Sequence, residues 1–347
     1  MVADVLSWRP AAARHRELHD RFAAASRDRF EAMLDRFVRA HIGDRLRSIV
    51  GELPEASTTR LVLAPESGRR LHYGPPHDLH FFLTGALAEL RRLDPARAPG
   101  RPVWTALGDC WFPAEGADGA YHAPRLAPGI PVDTRSPYAA LDWAGPTVAY
   151  RPEALREVVT AADAALAAAR RISPEAHHLV TSSVRVVVAR RGPGDAATSF
   201  STERRIGGPA FGNLAGPPAD PAGVLDRLLH EAVHSFLYLV ERDEPLLRDR
   251  AAADRVPVAS PWTGRRLHLH SFAHACCVWF ALWSFWRRPA AAREFPADRV
   301  AALAGRARDG FDRPAMIDAL RTAEPFLTPG GRAVAGLVDA IRHGSYD

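Results

Sequence analysis

The chain has 347 residues, 47% hydrophobic and 24% charged, with a net charge of +5; this suits two domains or one large one with an ample core. All 45 positive residues are arginines and no lysine or glutamine occurs, which excludes Schiff-base, pyridoxal, P-loop nucleotide and ordinary kinase chemistry, because each needs a lysine. The arginines alternate with acids, as in "RDRFEAMLDRFVRAHIGDRLR", so the pattern predicts solvated helix faces and no nucleic-acid partner.

In chain order, Leu18, Phe22, Phe30, Leu34, Phe37, Ile42 and Leu46 recur at helical spacing and predict one long amphipathic helix over residues 10–52. "HDLHFFLTGALAELRRL" predicts a second helix, and residues 95–150, rich in Pro and Gly, predict loops with short extended pieces. A helix with Pro152 early in it should follow. The period then changes: "HHLVTSSVRVVVARR" reads as a strand around Val184, Val186, Val187 and Val188, and "ATSFSTERRIGGPAFGNLA" as a second extended segment. Asp220 and Pro221 make a helix start, and that helix should run to about Arg242. After a loop containing "VASPWTGRR", "LHLHSFAHACCVWFALWSFWRR" predicts a buried apolar helix, and two further helices close the chain. We expect a helical N-terminal region over 1–150 and a metal-binding catalytic region over 151–347.

Three cysteines, two of them adjacent, do not make a disulfide framework. The N-terminus lacks a charged start followed by an apolar core, and the most apolar run, "ACCVWFALWSFW", is too short to span a bilayer. The expectation is a cytoplasmic protein with no membrane partner.

The stretch "DRLLHEAVHSFLYLVERDEP" contains H-E-x-x-H: His230, Glu231 and His234. Positions i and i+4 share a helical face, so both histidines can point at one ion, with Glu231 about a hundred degrees round, near a metal-bound water. A third ligand is normal. His274, deepest in the next helix and flanked by apolar residues, is the favoured one; His270 is the runner-up or an outer hydrogen-bond partner, and His268 reads as a loop-edge residue. Asp226, one turn before His230, could accept a hydrogen bond from a ligand imidazole. Three ligands plus water make a catalytic zinc site with Glu231 as general base; the same residues could hold iron(II) with positions open for a 2-oxo acid and dioxygen. The fold class is α+β, mainly helical, with a zincin-like metal core and a few strands.

The segment from about 199 to 285 resembles the HExxH-motif peptide-modification proteins of ribosomal peptide pathways. The resemblance is carried by "LLHEAVHSFLY" and then "SPWTGRRLHLHSFAH", in which Ser260, Pro261, Trp262, Arg265, Arg266 and His274 follow the family's order. Thr263 stands where an arginine is common, and Ser271 where a glycine is common. The resemblance implies an iron(II)- and 2-oxoglutarate-dependent oxygenase that hydroxylates a side-chain β-carbon of a precursor peptide. Arg265 or Arg266, with Ser260 on the same turn, would then bind the cosubstrate, since a planar guanidinium matches a distal carboxylate. In that reading Glu231 orients water or substrate. "SFSTERRIGGPAF" could wall a peptide groove, with Arg204 and Arg205 facing an acidic peptide. The alternatives are a zinc metallopeptidase using Glu231, and a peptide-binding module without activity.

Overall fold

A computed structural model of the chain describes residues 2–9, 12–37, 41–74, 78–97, 100–115, 119–140, 143, 145–192, 194, 196–214 and 220–346. It is a mainly helical α+β protein, with fifteen helices and a few short strands among the described residues. The chain forms two compact units, each assembled from separated segments. One comprises Met1–Arg16, Ala164–Val180 and Ala222–Asp347; the other comprises Glu17–Asp163 and Thr181–Pro221. The division expected at residue 150 therefore falls inside the second unit.

The stretch read as one helix holds two, Ala12–Arg36, which belongs to the second unit from Glu17 onward, and His41–Glu52; residues 38–40 lie outside the described ones. The periodic residues Leu18, Phe22, Phe30, Leu34 and Leu46 are buried as their spacing requires. Two helices the periodicity does not reveal, Glu55–Val62 and Pro65–Tyr73, start at Pro54 and at Pro65, where the missing amide of proline costs nothing. Leu79–Leu93 follows, its first turn capped by Asp78, whose carboxylate accepts the Phe81 amide at 3.2 Å.

The loop-rich region carries a three-stranded antiparallel sheet of Val103–Trp104, Cys110–Phe112 and Tyr121–His122. Val132–Asp133, Val187–Arg190, Ala210–Gly212 and Thr198–Phe200 lie side by side in that order in a second sheet; the first three are parallel and the last antiparallel. The expected strand is thus shorter than its β-branched composition implies. "HHLVTSS" belongs to the helix Pro174–Ser183, because Pro174 starts it and the Ser173 hydroxyl accepts the Ala176 amide at 3.2 Å. The second extended segment is split into two strands around a single 3-10 turn, Glu203–Arg205.

The first unit is organised by the motif helix Pro221–Val240 and the apolar helix Leu269–Trp286. Phe272, Phe280, Phe285 and Trp286 of the latter are fully buried, each worth about 1.5–3 kcal/mol of transfer free energy. A hairpin of Pro257–Ala259 and Arg266–His268, with Val258 opposite Leu267, leads into that helix. Trp262, in the hairpin turn, stacks on Trp279 at 5.5 Å and donates its indole N–H to the Ala307 carbonyl at 3.0 Å. Gly310 makes this fit possible, since a Cβ there would lie 2.3 Å from the Trp262 ring. Four helices close the chain where two were expected: Ala291–Glu294, Ala297–Asp312, Pro314–Ala323 and Pro329–Arg342. No helix among the described residues is long and apolar enough to cross a membrane.

Candidate metal centre

The motif helix is buried along most of its length, with one less buried stripe: Arg227, His230, His234, Tyr238 and Glu241, spaced three, four, four and three residues apart. That spacing is a single helical face. Glu241 stands just beyond the last helical residue and continues the stripe. Opposite, His270 and His274 sit one turn apart in the apolar helix and are 4% and 1% exposed.

Between these faces runs a chain of polar contacts. His234 Nδ1 lies 3.1 Å from His274 Nδ1. His274 Nε2 lies 2.7 Å from Glu241 Oε2, and His270 Nε2 lies 2.6 Å from the same oxygen. The Tyr238 ring stacks near both helices, 6.2 Å from His234, 4.9 Å from His274 and 6.4 Å from His270. His230 stands 5.0 Å from the His234 ring and 5.9 Å from Trp279. Its Nε2 is 4.0 Å from Glu231 Oε1, and Glu231 is 1% exposed.

Electrostatics favour neutral imidazoles at His230, His234 and His274 and an ionised carboxylate at Glu241. Loss of solvent, helped by the Arg306 charge, pushes His230 down to about 4. Burial, and then the neighbouring His230, His274 and His270, hold His234 well below the ordinary histidine value. Burial also lowers His274, against the pull of Glu241. For Glu241 burial works upward, but the hydrogen bonds from His270 and His274 outweigh it and keep the carboxyl well below its usual range. With Glu241 ionised, His270 and His274 donate Nε2–H to it; His274 Nδ1 is then the acceptor for Nδ1–H of His234.

Of the predicted ligands, the structure brings His234 and His274 together, with His230 beside them. Among the described residues, the group whose donor atoms all lie within 4.8 Å of one another is Glu241, His270 and His274. His270 is therefore in direct contact with the cluster. Glu241 went unread, although its position seven residues after His234 marks the same face.

Other expectations resolve differently. Asp226 is buried but serves no imidazole: it accepts from the Trp286 indole at 2.8 Å and from Arg306. Ser260 is buried in the hairpin turn, its hydroxyl accepting the Thr263 amide at 3.2 Å and its own amide donating to the Arg265 carbonyl at 2.7 Å. Arg265 and Arg266 are exposed, and so is His268. The arginines whose charges reach the histidines are instead Arg306, at His230, and Arg250, at His274. Arg205 is buried with its Nε 3.6 Å from Glu66, which withdraws it from any peptide groove, whereas Arg204 is exposed.

Two imidazoles and a carboxylate, all largely buried, fit a divalent transition ion; both hydrolytic zinc and non-haem iron sites use such sets. No family model matches the chain, and no curated protein matches it.

Proposed function

We propose that the chain is an iron(II)- and 2-oxoglutarate-dependent oxygenase hydroxylating a side-chain β-carbon of a ribosomally made precursor peptide. The observation that supports this reading is the donor set of imidazoles and one carboxylate between the motif and apolar helices, the ligand chemistry of mononuclear iron oxygenases. Glu231 precedes Glu241 by ten residues, about 15 Å along a helix axis at 1.5 Å per residue. It is thus poorly placed to deprotonate a water on an ion near Glu241, as a peptidase would require.

Bound iron(II) would supply oxygen activation, with 2-oxoglutarate as the two-electron donor that leaves as succinate and carbon dioxide. The chain's residues would do the rest. The imidazoles and Glu241 would hold the ion. A guanidinium would hold the distal carboxylate of the cosubstrate, with Arg250 better placed than Arg265 or Arg266 because its charge reaches His274. Trp262 and Trp279 would wall the His230 side and exclude water. Three free, buried cysteines suit a reducing cytoplasm.

The test is anaerobic reconstitution with iron(II), followed by oxygen, 2-oxoglutarate and candidate peptides. Succinate and a peptide heavier by one oxygen are expected. The second reading, a zinc metallopeptidase, draws on Glu231 Oε1 lying 4.0 Å from His230 Nε2. Peptide cleavage by zinc-loaded protein without oxygen, abolished in Glu231→Gln, would establish it in place of the oxygenase.

A further inference from the structure

We propose that Glu241, His270 and His274 are the protein ligands of the ion, and that the motif pair His230 and His234 stands beside it without binding it. This rests on reading the array as a metal centre, but not on the oxygenase reaction. The motif spelling alone points the other way, so the assignment depends on geometry, charge and proton inventory.

Glu241 Oε2 is 2.6 Å from His270 Nε2 and 2.7 Å from His274 Nε2. Neighbouring ligands at roughly 2.0–2.1 Å from one ion lie about 2.8–3.4 Å apart, depending on whether they subtend an octahedral or a tetrahedral angle. An ion bound by all three would replace the two N–H···O contacts, the carboxylate–imidazole distances opening by a few tenths of an ångström. Among the described residues, neither His230 nor His234 belongs to a group of three donors whose atoms all lie within 4.8 Å of one another. The nearest carboxylate oxygen to His230 Nε2, among the ion-pair distances of the described residues, is Glu231 Oε1 at 4.0 Å.

Charge favours the same three residues. The Glu241 side chain is 12% exposed, and those of His270 and His274 are 5% and 1%. A dication placed there meets an ionised carboxylate that offsets half its charge, in surroundings that shield it little. Two neutral imidazoles of the motif pair offer no such compensation.

The protons also balance. In the free protein His270 and His274 donate Nε2–H to Glu241. When Nε2 of each binds the ion, a neutral ring must carry its proton on Nδ1. His274 Nδ1–H then points at His234 Nδ1, 3.1 Å away, and donates to it once His234 carries its own proton on Nε2. A ligating histidine commonly donates its other ring N–H to an acceptor, which fixes its tautomer. His234 is that acceptor here, a positioning residue for His274. Two imidazoles and one carboxylate leave three further positions of an octahedral ion open, the pattern of iron(II) oxygenases.

The experiment measures cobalt(II) and anaerobic iron(II) binding to the full chain, with metal analysis after dialysis and X-ray absorption of the cobalt form. One ion per chain is expected, with two imidazole ligands. Glu241→Gln and His270→Ala should each lower affinity by at least about a hundredfold, whereas His230→Ala should stay within about threefold. Circular dichroism of each metal-free variant separates lost ligation from lost folding, and His270→Asn serves if His270→Ala does not fold. Retained binding in Glu241→Gln with loss in His230→Ala overturns the assignment. So does loss in both with folding intact, or an intact chain that binds no ion. An ion held by these three ligands without succinate production would fault the oxygenase reading and leave the assignment standing.

Discussion

Two carboxylate clusters, one in each compact unit, are answered by different bases, although Asp226, in the unit of Glu241, also meets an arginine, Arg306. In the unit built from Glu17–Asp163 and Thr181–Pro221 the answer is arginine. Asp109 accepts from Arg60, from Arg125 at 2.6 Å and from the Thr105 hydroxyl at 2.7 Å; Glu89 accepts from Arg60 and Arg92, each at 2.8 Å; Glu66 meets Arg69 at 2.6 Å and Arg70 at 2.9 Å. In the other unit, Glu241 is answered by two imidazoles. A guanidinium never gives up its proton and offers no lone pair to a metal, so the arginine networks are electrostatically locked. An imidazole can exchange its N–H for an ion. A buried acid of this kind serves structure in one place and, in the metal centre we propose, ligand chemistry in the other.

The largest effect should come from breaking a locked network. Asp109→Ala leaves Arg60 and Arg125 facing a site without its acid, and should cost about 3–5 kcal/mol. In metal-free protein Glu241→Gln should cost less, about 1–3 kcal/mol, because its partners are imidazoles that can stay neutral. Urea unfolding compares the two; equal losses would remove the distinction between the units.

Adding an ion should sharpen the contrast. At a hundred times its dissociation constant, a metal that binds only the folded state adds about 2.7 kcal/mol. Asp109→Ala should keep that increment if it folds, and Glu241→Gln should lose it, both read as the shift in thermal midpoint on adding cobalt(II). An undiminished shift in Glu241→Gln would place the ion elsewhere.

The contrast also explains which parts were legible in the sequence. The motif helix and the apolar helix were, because unbroken 3.6-residue patterns leave little choice of buried face; Leu228, Phe236, Phe272 and Phe285 are all buried. The helix Pro174–Ser183 was not, since "HHLVTSS" has β-type composition and only the Ser173 cap and Pro174 decide it. In the site, His234 and His274 were legible as i, i+4 members of histidine pairs. Glu241 was not, because it follows the motif by two turns within "ERDE", where every charge looks solvent-facing. Arg250 was not either: its charge reaches His274 only through tertiary packing.

Acid should separate the units next. His15, in the first unit, is buried near His178 and pushed down to about 4, chiefly by burial. In the unfolded chain it titrates near 6.5. A lowered folded value means the unfolded state binds more protons between those limits, so this contribution is complete above about 6.5 and is lost as pH falls toward 4. The loss should be about 3 kcal/mol by pH 4, at roughly 1.4 kcal/mol per pH unit. Asp109 is also lowered, burial being outweighed by Arg60, the Thr105 hydroxyl and Arg125 together, so its contribution is lost only below the ordinary carboxylate range. Hydrogen-exchange protection, corrected for intrinsic rates, should fall between pH 6.5 and 4 in the segments around His15 and His178, while those around Asp109 hold. Simultaneous loss would deny that the arginine networks are the more acid-resistant.

The smallest effect concerns the exposed arginines, and it depends on the oxygenase reading. Arg250 has a side chain 40% exposed and an Nε 3.0 Å from Asp254. It can exchange that partner for a ligand carboxylate at little cost, because exposed ion pairs are worth about 0–1 kcal/mol. Its charge already reaches His274. Arg265 and Arg266 are exposed on the hairpin, and neither is among the charges that shift His230, His234 or His274. Arg250→Ala should therefore raise the KM for 2-oxoglutarate about tenfold, near 1.4 kcal/mol, with a smaller change in kcat at saturation. Arg265→Ala and Arg266→Ala should leave it within about twofold. Initial rates of succinate formation across a cosubstrate titration give all three values. The reverse order would return the carboxylate to the turn after Trp262 and leave Arg250 as a neighbour that only tunes His274.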